Sequence, residues 1–409
     1  MANTLATSDW VTKEVARGFL NSLKFAANVN RTYDDQYRQA GARVGNTVNA
    51  RLPQRFSAKD GQALQEQALL DQTVPITLTN QKHVAFSYST AQETTELDNI
   101  RERYVSPAAE ALANAADVLA WEDVYRDVYS SVGTPGTTPT TTLSYLQAGV
   151  KLTDLATPMD RRCAILDPLA MVNIADTSSS LFNPTAAISE NYRKGQFGRN
   201  QLGIDEWYQD QNAPNFTTGV FTAATPLVNG ASQTGATLIT DGWASGASTL
   251  NKGDIFTCAG VFSVNPQSYV STGRLQQFVV TATISDTTGD ATIAISPSII
   301  TSGNLQTVSA SPANDAVILV WSATSGGALA ATASRQSMVF HPDAFAFVMA
   351  DLVKPTSGAK ATSVRSKQWG IAVRMVEQYQ ISTDQNPCRL DILIGAATLQ
   401  ARLACRVVG

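Results

Sequence analysis

Histidine is almost missing from this 409-residue chain, in which His83 and His341 are the only two. That scarcity leaves little from which to build a His-based nucleophile or metal scheme. His83 falls in an extended stretch and His341 begins an expected short helix just before Pro342, and neither has a partner in a recognisable motif. Cysteine is sparse as well. Cys163, Cys258, Cys388 and Cys405 are widely spaced and form no C-x-x-C pair, so they read as small buried thiols in a reducing cytoplasm, not as a disulfide framework or zinc site. No stretch approaches the roughly 18 apolar residues of a membrane span. The opening MANTLATSDW lacks both a basic start and an apolar h-region, so the chain reads as soluble and unexported. An excess of positive charge is also absent: 30 basic against 34 acidic residues give a formal charge of -4, which disfavours a nucleic-acid reader. No G-x-S-x-G elbow, Walker A loop, G-x-G-x-x-G or H-E-x-x-H occurs.

What is present is enough apolar material for a substantial core, 44% of residues, in a length that allows two or three domains. Charge density marks the clearest boundary. Residues 216 to 334 carry only Lys252, Arg274, Asp241, Asp254, Asp286, Asp290 and Asp315, and no Glu at all. Their Thr, Ser and Gly content, with apolar runs DIFTCAGVFSV, LQQFVVTATIS and ATIAISPSI between turn residues, predicts a small antiparallel β-barrel or sandwich inserted in the chain with its own core.

Ahead of it, Val11, Val15, Phe19, Leu23 and Ala26 recur at helical spacing, predicting an amphipathic arm over residues 9 to 27 that Asp9 could cap. Residues 44 to 56 and 74 to 90 alternate in the manner of strands and predict a long two-stranded hairpin reaching away from any compact core. The strongest helix is expected over about 106 to 130, with Ser106 as N-cap and Pro107 at the first helical position. At about 1.5 Å per residue it would be a rod of about 37 Å. GTPGTTPTTT reads as a loop, FHPDAFAFVMADLV as a short helix, and residues 369 to 376 and 389 to 395 as strands, so the fold class is α+β.

Carboxylates cluster at Glu93, Glu96, Asp98 and Glu102, and again at Glu122, Asp123 and Asp127. An acid pair or divalent-ion site would use such groups, but no Asp/Asn series with a central Gly accompanies them, and solvated helix faces are the simpler reading. The sign pattern says more. Residues 11 to 59 hold nine basic groups, among them Arg43, Arg51, Arg55 and Lys59, against three acids, whereas residues 91 to 127 hold nine acids against three basic groups. Such runs also occur as ordinary surface. An extended arm of one sign and a helix region of the other is, however, what a self-assembling subunit uses to reach its neighbours.

Three phrases carry a family resemblance: LNKGDIFTCAGVFSVNPQS at 250 to 268, GIDEWYQDQNAPNFTTG at 203 to 219 and RLDILIGAATLQARLACRVVG at 389 to 409. With the order of parts, they resemble the major capsid proteins of tailed phages with the Hong Kong 97-like fold, in particular short-tailed phage coat proteins with an inserted β-barrel. The resemblance implies an N-terminal arm (1 to 35), an extended loop hairpin (36 to 92), a spine helix with peripheral and first axial parts (93 to 215), the inserted barrel (216 to 334) and the remaining axial and peripheral chain with a closing strand (335 to 409). It implies no catalytic residue, cofactor or metal. The implied state is a homo-oligomer of hexamers and pentamers in an icosahedral shell around double-stranded DNA, bound without sequence specificity. The implied partners are a separate scaffolding protein, a portal protein and in some relatives a decoration protein, with assembly in the host cytoplasm and residence in the virion. Some relatives crosslink through a Lys to Asn bond; Lys59 and Lys82 lie in the presumed loop, but no motif aligns them to it and no crosslink is expected. The intersubunit contact is expected between Arg43, Arg51, Arg55 and Lys59 of one copy and Glu93, Glu96, Asp98 and Glu102 of the next. A β-rich surface-adhesion or receptor-binding protein is the competing reading, and a carboxylate hydrolase comes third.

Residues 216 to 334, expressed alone, should give strand-type circular dichroism and dispersed amide spectra; a disordered spectrum would reject an independent core.

Overall fold

The computed structural model describes residues 23–33, 46–58, 61–62, 64–89, 106–177, 203–220, 225–244, 248–286, 289–321, 330–355, 360–365 and 372–409. In chain order it places β1 (Thr47–Arg51), β2 (Thr73–Thr77), β3 (Asn80–Ser89), α1 (Ser106–Val124), β4 (Ser131–Gly133), α2 (Leu143–Asp154), β5 (Cys163–Leu166), α3 (Pro168–Thr177), β6 (Glu206–Gln209) and β7 (Asn215–Thr217). Next come β8 (Leu227–Val228), β9 (Gly235–Asp241), β10 (Ser248–Leu250), β11 (Ile255–Val264), β12 (Ser271–Val280), β13 (Ile284–Asp286), β14 (Ala291–Ile299) and β15 (Ile318–Val320). The chain ends with β16 (Ala333–Phe340), β17 (Phe345–Ala350), β18 (Lys360–Arg365), β19 (Ala372–Glu377), β20 (Gln385–Thr398) and β21 (Ala404–Val408). Helices are few and strands many. The chain divides into two compact units, one of residues 1–51, 73–123 and 345–399, the other of 52–72, 124–344 and 400–409.

The first unit is organised by β20, whose 14 residues pair with β3 along one edge and with β17 and β19 on the other. Here β3 departs from the expected hairpin. Its alternating Val84 and Phe86 face Leu390 and Cys388 of β20, and that apolar match outcompetes continued pairing with the preceding strand. The hairpin itself is short, β1 against β2 with Val48 opposite Ile76, and both residues are buried, so its base belongs to the core. It packs so closely on β20 that a Cβ at Gly395 would collide with the Thr77 carbonyl. The segment FAFVMA, expected as helix, is β17: it is only 6 residues long, aromatic and β-branched, and buried on both faces but for its last residue, the pattern of a covered strand.

Helix α1 starts as expected but has 19 residues, so it extends about 28 Å. Tyr125–Asp127 tighten into a 3-10 turn and Val128 is extended, because the β-branched and aromatic run Val124, Tyr125, Val128, Tyr129 loses side-chain freedom in a helix and buries itself instead. The arm helix expected to end near residue 27 lies largely outside the described residues, and its described end, Phe25 to Ala27, is a turn. That turn is held by α1: the Phe25 ring stacks on Trp121 at 5.3 Å, and the buried Asp117 carboxylate accepts the amides of Ala26 (2.9 Å) and Phe25 (3.4 Å).

In the second unit a mixed sheet runs β4-β21-β16-β5-β6, with β7 also on β16, and α2 and α3 bury Tyr145, Leu152 and Ile174 in one cluster with Trp207, Val339 and Val407. A six-stranded antiparallel sheet runs β15-β11-β12-β14-β9-β8. Its two ends meet: Val228 N–H donates to Ala316 O, Asp315 N–H to Val228 O and Ile318 N–H to Pro226 O, so the sheet closes into a barrel. Phe256, Phe278, Leu238, Ile293, Ile295 and Val320 fill it.

Removing the carboxylate in Asp117→Ala orphans two buried amides at about 1–3 kcal/mol each. The urea midpoint of the subunit should fall with little change in slope; an unchanged midpoint would show that α1 does not hold the turn.

Candidate assembly surface

Three of the seven charges in the low-charge segment, Lys252, Asp254 and Arg274, stand where the barrel meets the rest of its unit. Lys252 Nζ lies 3.3 Å from Asp127 Oδ1, and Arg274 Nε lies 3.2 Å from Asp154 Oδ2. Asp254, buried, accepts the amides of Asn251 (2.7 Å) and Gly219 (2.9 Å). Gly219 is required there, since a Cβ would strike the Thr249 carbonyl and come within 2.8 Å of Asp254 Oδ2. Arg406 of β21, 1% exposed, donates from Nη2 to Gly253 O at 2.8 Å and lies 5.8 Å above the Phe216 ring. Burial draws its guanidinium down to about 10 and pushes the Asp254 carboxyl up to about 6, even though the two amides and Arg406 pull the latter down.

A second polar knot sits alongside. Lys151 Nζ donates to Ser131 O and to Gln277 Oε1, each at 2.6 Å, and lies 5.4 Å from the Trp321 ring centre; burial pulls its ammonium below the usual lysine range. Gln277 also accepts the Ser131 amide at 2.9 Å. A sequence reading singles out none of these except through one signal, lone charges in an otherwise uncharged segment.

Of the eight residues expected at the intersubunit contact, Arg51 and Arg55 are described. Arg51 is exposed at the end of β1 opposite Thr73. Arg55, half-buried, acts electrostatically on Tyr129 and Arg402 within its own unit. Arg43, Lys59, Glu93, Glu96, Asp98 and Glu102 lie outside the described residues. Beyond the short hairpin, Ser57 Oγ donates to Asn304 Oδ1 at 3.5 Å, so this part of the expected extended loop touches its own unit. His83 is exposed in β3 opposite Asp391, while His341 is buried before a 3-10 turn, not a helix, with Nδ1 3.6 Å from Asp343 Oδ2. Burial lowers its pKa. All four cysteines are buried free thiols, and burial pushes Cys405 up to about 11 and Cys258 and Cys388 up to about 12, which makes them inert as nucleophiles near neutrality.

Because the Asp254 carboxyl rises from 3.8 to about 6, the folded state holds its proton more tightly than the unfolded chain. The stability contributed by that proton is complete below about pH 4 and lost as pH climbs to about 6, a change on the order of 3 kcal/mol. Measured against Asp254→Asn, which does not titrate, the native chain should lose ground across that window and run parallel above it. A constant difference from pH 4 to 7 would contradict the shift.

A family model described as P22 coat protein, gene protein 5, matches residues 1–406. Among solved structures, that of Mycobacterium phage Che8 is 14% identical over 94% of this chain and 90% of that one, with a TM-score of 0.45. The capsid of Ralstonia phage GP4 is 8% identical over 94% and 87%, with a TM-score of 0.44. The CUS-3 coat protein I-domain is 27% identical over 25% of this chain and 97% of that one, with a TM-score of 0.20. A search of curated proteins gives no match. With the family model matching nearly every residue, the chain belongs to the P22 coat protein family and is a major capsid protein that assembles with its own copies into the phage shell.

Proposed function

We propose that this coat protein closes an icosahedral head from hexamers and pentamers in the Hong Kong 97-like manner, with residues 1 to 35 as arm, 36 to 92 as extended loop, 93 to 215 and 335 to 409 as spine, peripheral and axial parts, and 216 to 334 as an inserted barrel. The observation that supports the layout is the closed barrel, whose core is drawn from Val228 to Val320 and three of whose seven charges, Lys252, Asp254 and Arg274, are engaged where it joins its unit. An element with its own closed core, low in charge overall and anchored at its base, is a body added to the shell subunit.

The subunit acts as a wall and not as an enzyme, in keeping with its family and with its inert thiols. A separate scaffolding protein shapes the growing shell in the host cytoplasm, a portal protein occupies one vertex, and a decoration protein can bind outside. The formal charge of -4 suits a container that encloses double-stranded DNA without gripping it.

Subunits meet through basic residues around the hairpin, Arg43, Arg51, Arg55 and Lys59, and the acids Glu93, Glu96, Asp98 and Glu102 of a neighbour. Exposed pairs contribute about 0.2–1 kcal/mol each and are screened by salt, so they act by repetition around the shell. The double reversal Arg51→Glu with Arg55→Glu should leave the subunit folded, since a carboxylate at 55 faces Arg402, yet block assembly as read by sedimentation and negative-stain microscopy. Adding Glu93→Lys and Glu96→Lys should partly restore shells. Normal assembly of the double reversal, or no rescue, would remove these charges from the interface.

A further inference from the structure

We propose that a buried water molecule sits at the base of the barrel and ties it to the mixed sheet. The site is a cavity of about 20 Å³ whose lining includes Ser131, Trp321, Gln336 and Arg406. Each of these carries one buried side-chain atom without a hydrogen-bond partner among the described residues: Ser131 Oγ, Trp321 Nε1, Gln336 Oε1 and Arg406 Nε. Four residues lining one cavity that each hold such an atom are far from the usual pattern, in which nearly every buried polar group is paired.

Their chemistry matches water. The indole and guanidinium N–H groups can only donate, the amide oxygen can only accept, and the hydroxyl does either. Water accepts two hydrogen bonds and donates two. Neighbouring polar atoms of these residues are engaged: Gln336 Nε2 donates to Ser334 Oγ at 2.9 Å, Arg406 Nη2 to Gly253 O at 2.8 Å, and the Ser131 amide to Gln277 Oε1 at 2.9 Å. The volume exceeds the roughly 10–15 Å³ that one water needs and is too small for an organic ligand. A cation is opposed by Arg406, and an anion by Asp254, which lines the same cavity. Ser131, Gln336 and Arg406 stand on β4, β16 and β21, three strands of the mixed sheet, whereas Trp321 follows β15 of the barrel. One molecule therefore bridges four chain segments where the barrel is attached.

The test uses shells assembled from the full chain, reconstructed at a resolution that shows ordered water, together with thermal unfolding of the full-length subunit and of Ser131→Ala. The expected density is a single peak about 2.7–3.2 Å from at least three of the four atoms. Loss of the hydroxyl should lower the Tm by about 1–3 °C, because a bond to water is lost. Absence of the peak, or a side chain in its place, overturns the proposal. So does a Tm for Ser131→Ala that holds or rises, the result expected when an unpaired buried hydroxyl is removed from a dry cavity.

Discussion

Two opposite charges withdrawn from water at the base of the barrel, Asp254 and Arg406, constrain how that element is attached. Neither can be buried without compensation, because desolvating an ion costs several kcal/mol even after relaxation. Compensation comes from backbone: the Gly219 and Asn251 amides for the carboxylate, the Gly253 carbonyl for the guanidinium. These bonds exist only when the strand entering the barrel, the turn before β11 and the closing strand β21 are in one arrangement. The two groups thus tie these segments to one another, and burial holds the carboxyl up at about 6.

The same device recurs in the other unit. Asp391, at the centre of β20 and fully buried, accepts Arg374 Nη2 and Arg389 Nε at 2.6 Å each. Asp117, on α1, is matched by two amides of the turn at Phe25. In each case a carboxylate inside the protein accepts at least one hydrogen bond from a group distant in the chain: the Gly219 amide for Asp254, Arg374 for Asp391, and the Phe25 and Ala26 amides for Asp117. Apolar burial supplies the driving force around them, while the buried acids fix register and docking.

Much of the fold was legible where a pattern is local. Runs such as DIFTCAGVFSV and ATIAISPSI are strands β11 and β14 because alternation and turn residues act within ten residues. The start of α1 at Ser106, next to Pro107, falls where those residues predict a helix to open. Partner choice was not legible. Alternation predicts β3 as a hairpin strand, yet it joins β20, from which it is separated by most of the chain, because an extended apolar face does not name its partner. The apolar run after His341 predicts a helix, yet burial on both faces makes β17, a difference that a short apolar run cannot express.

The candidate site divides in the same way. Composition alone established the nearly uncharged segment, the scarcity of histidine and the opposed basic and acidic regions, since these are sums over residues and need no geometry. Only tertiary structure decided that Lys252, Asp254 and Arg274 sit at the junction, and that Arg406 reaches Gly253 across 153 residues. A sequence records which groups are charged; which of them leave water, and beside what, depends on long-range packing that no local pattern encodes.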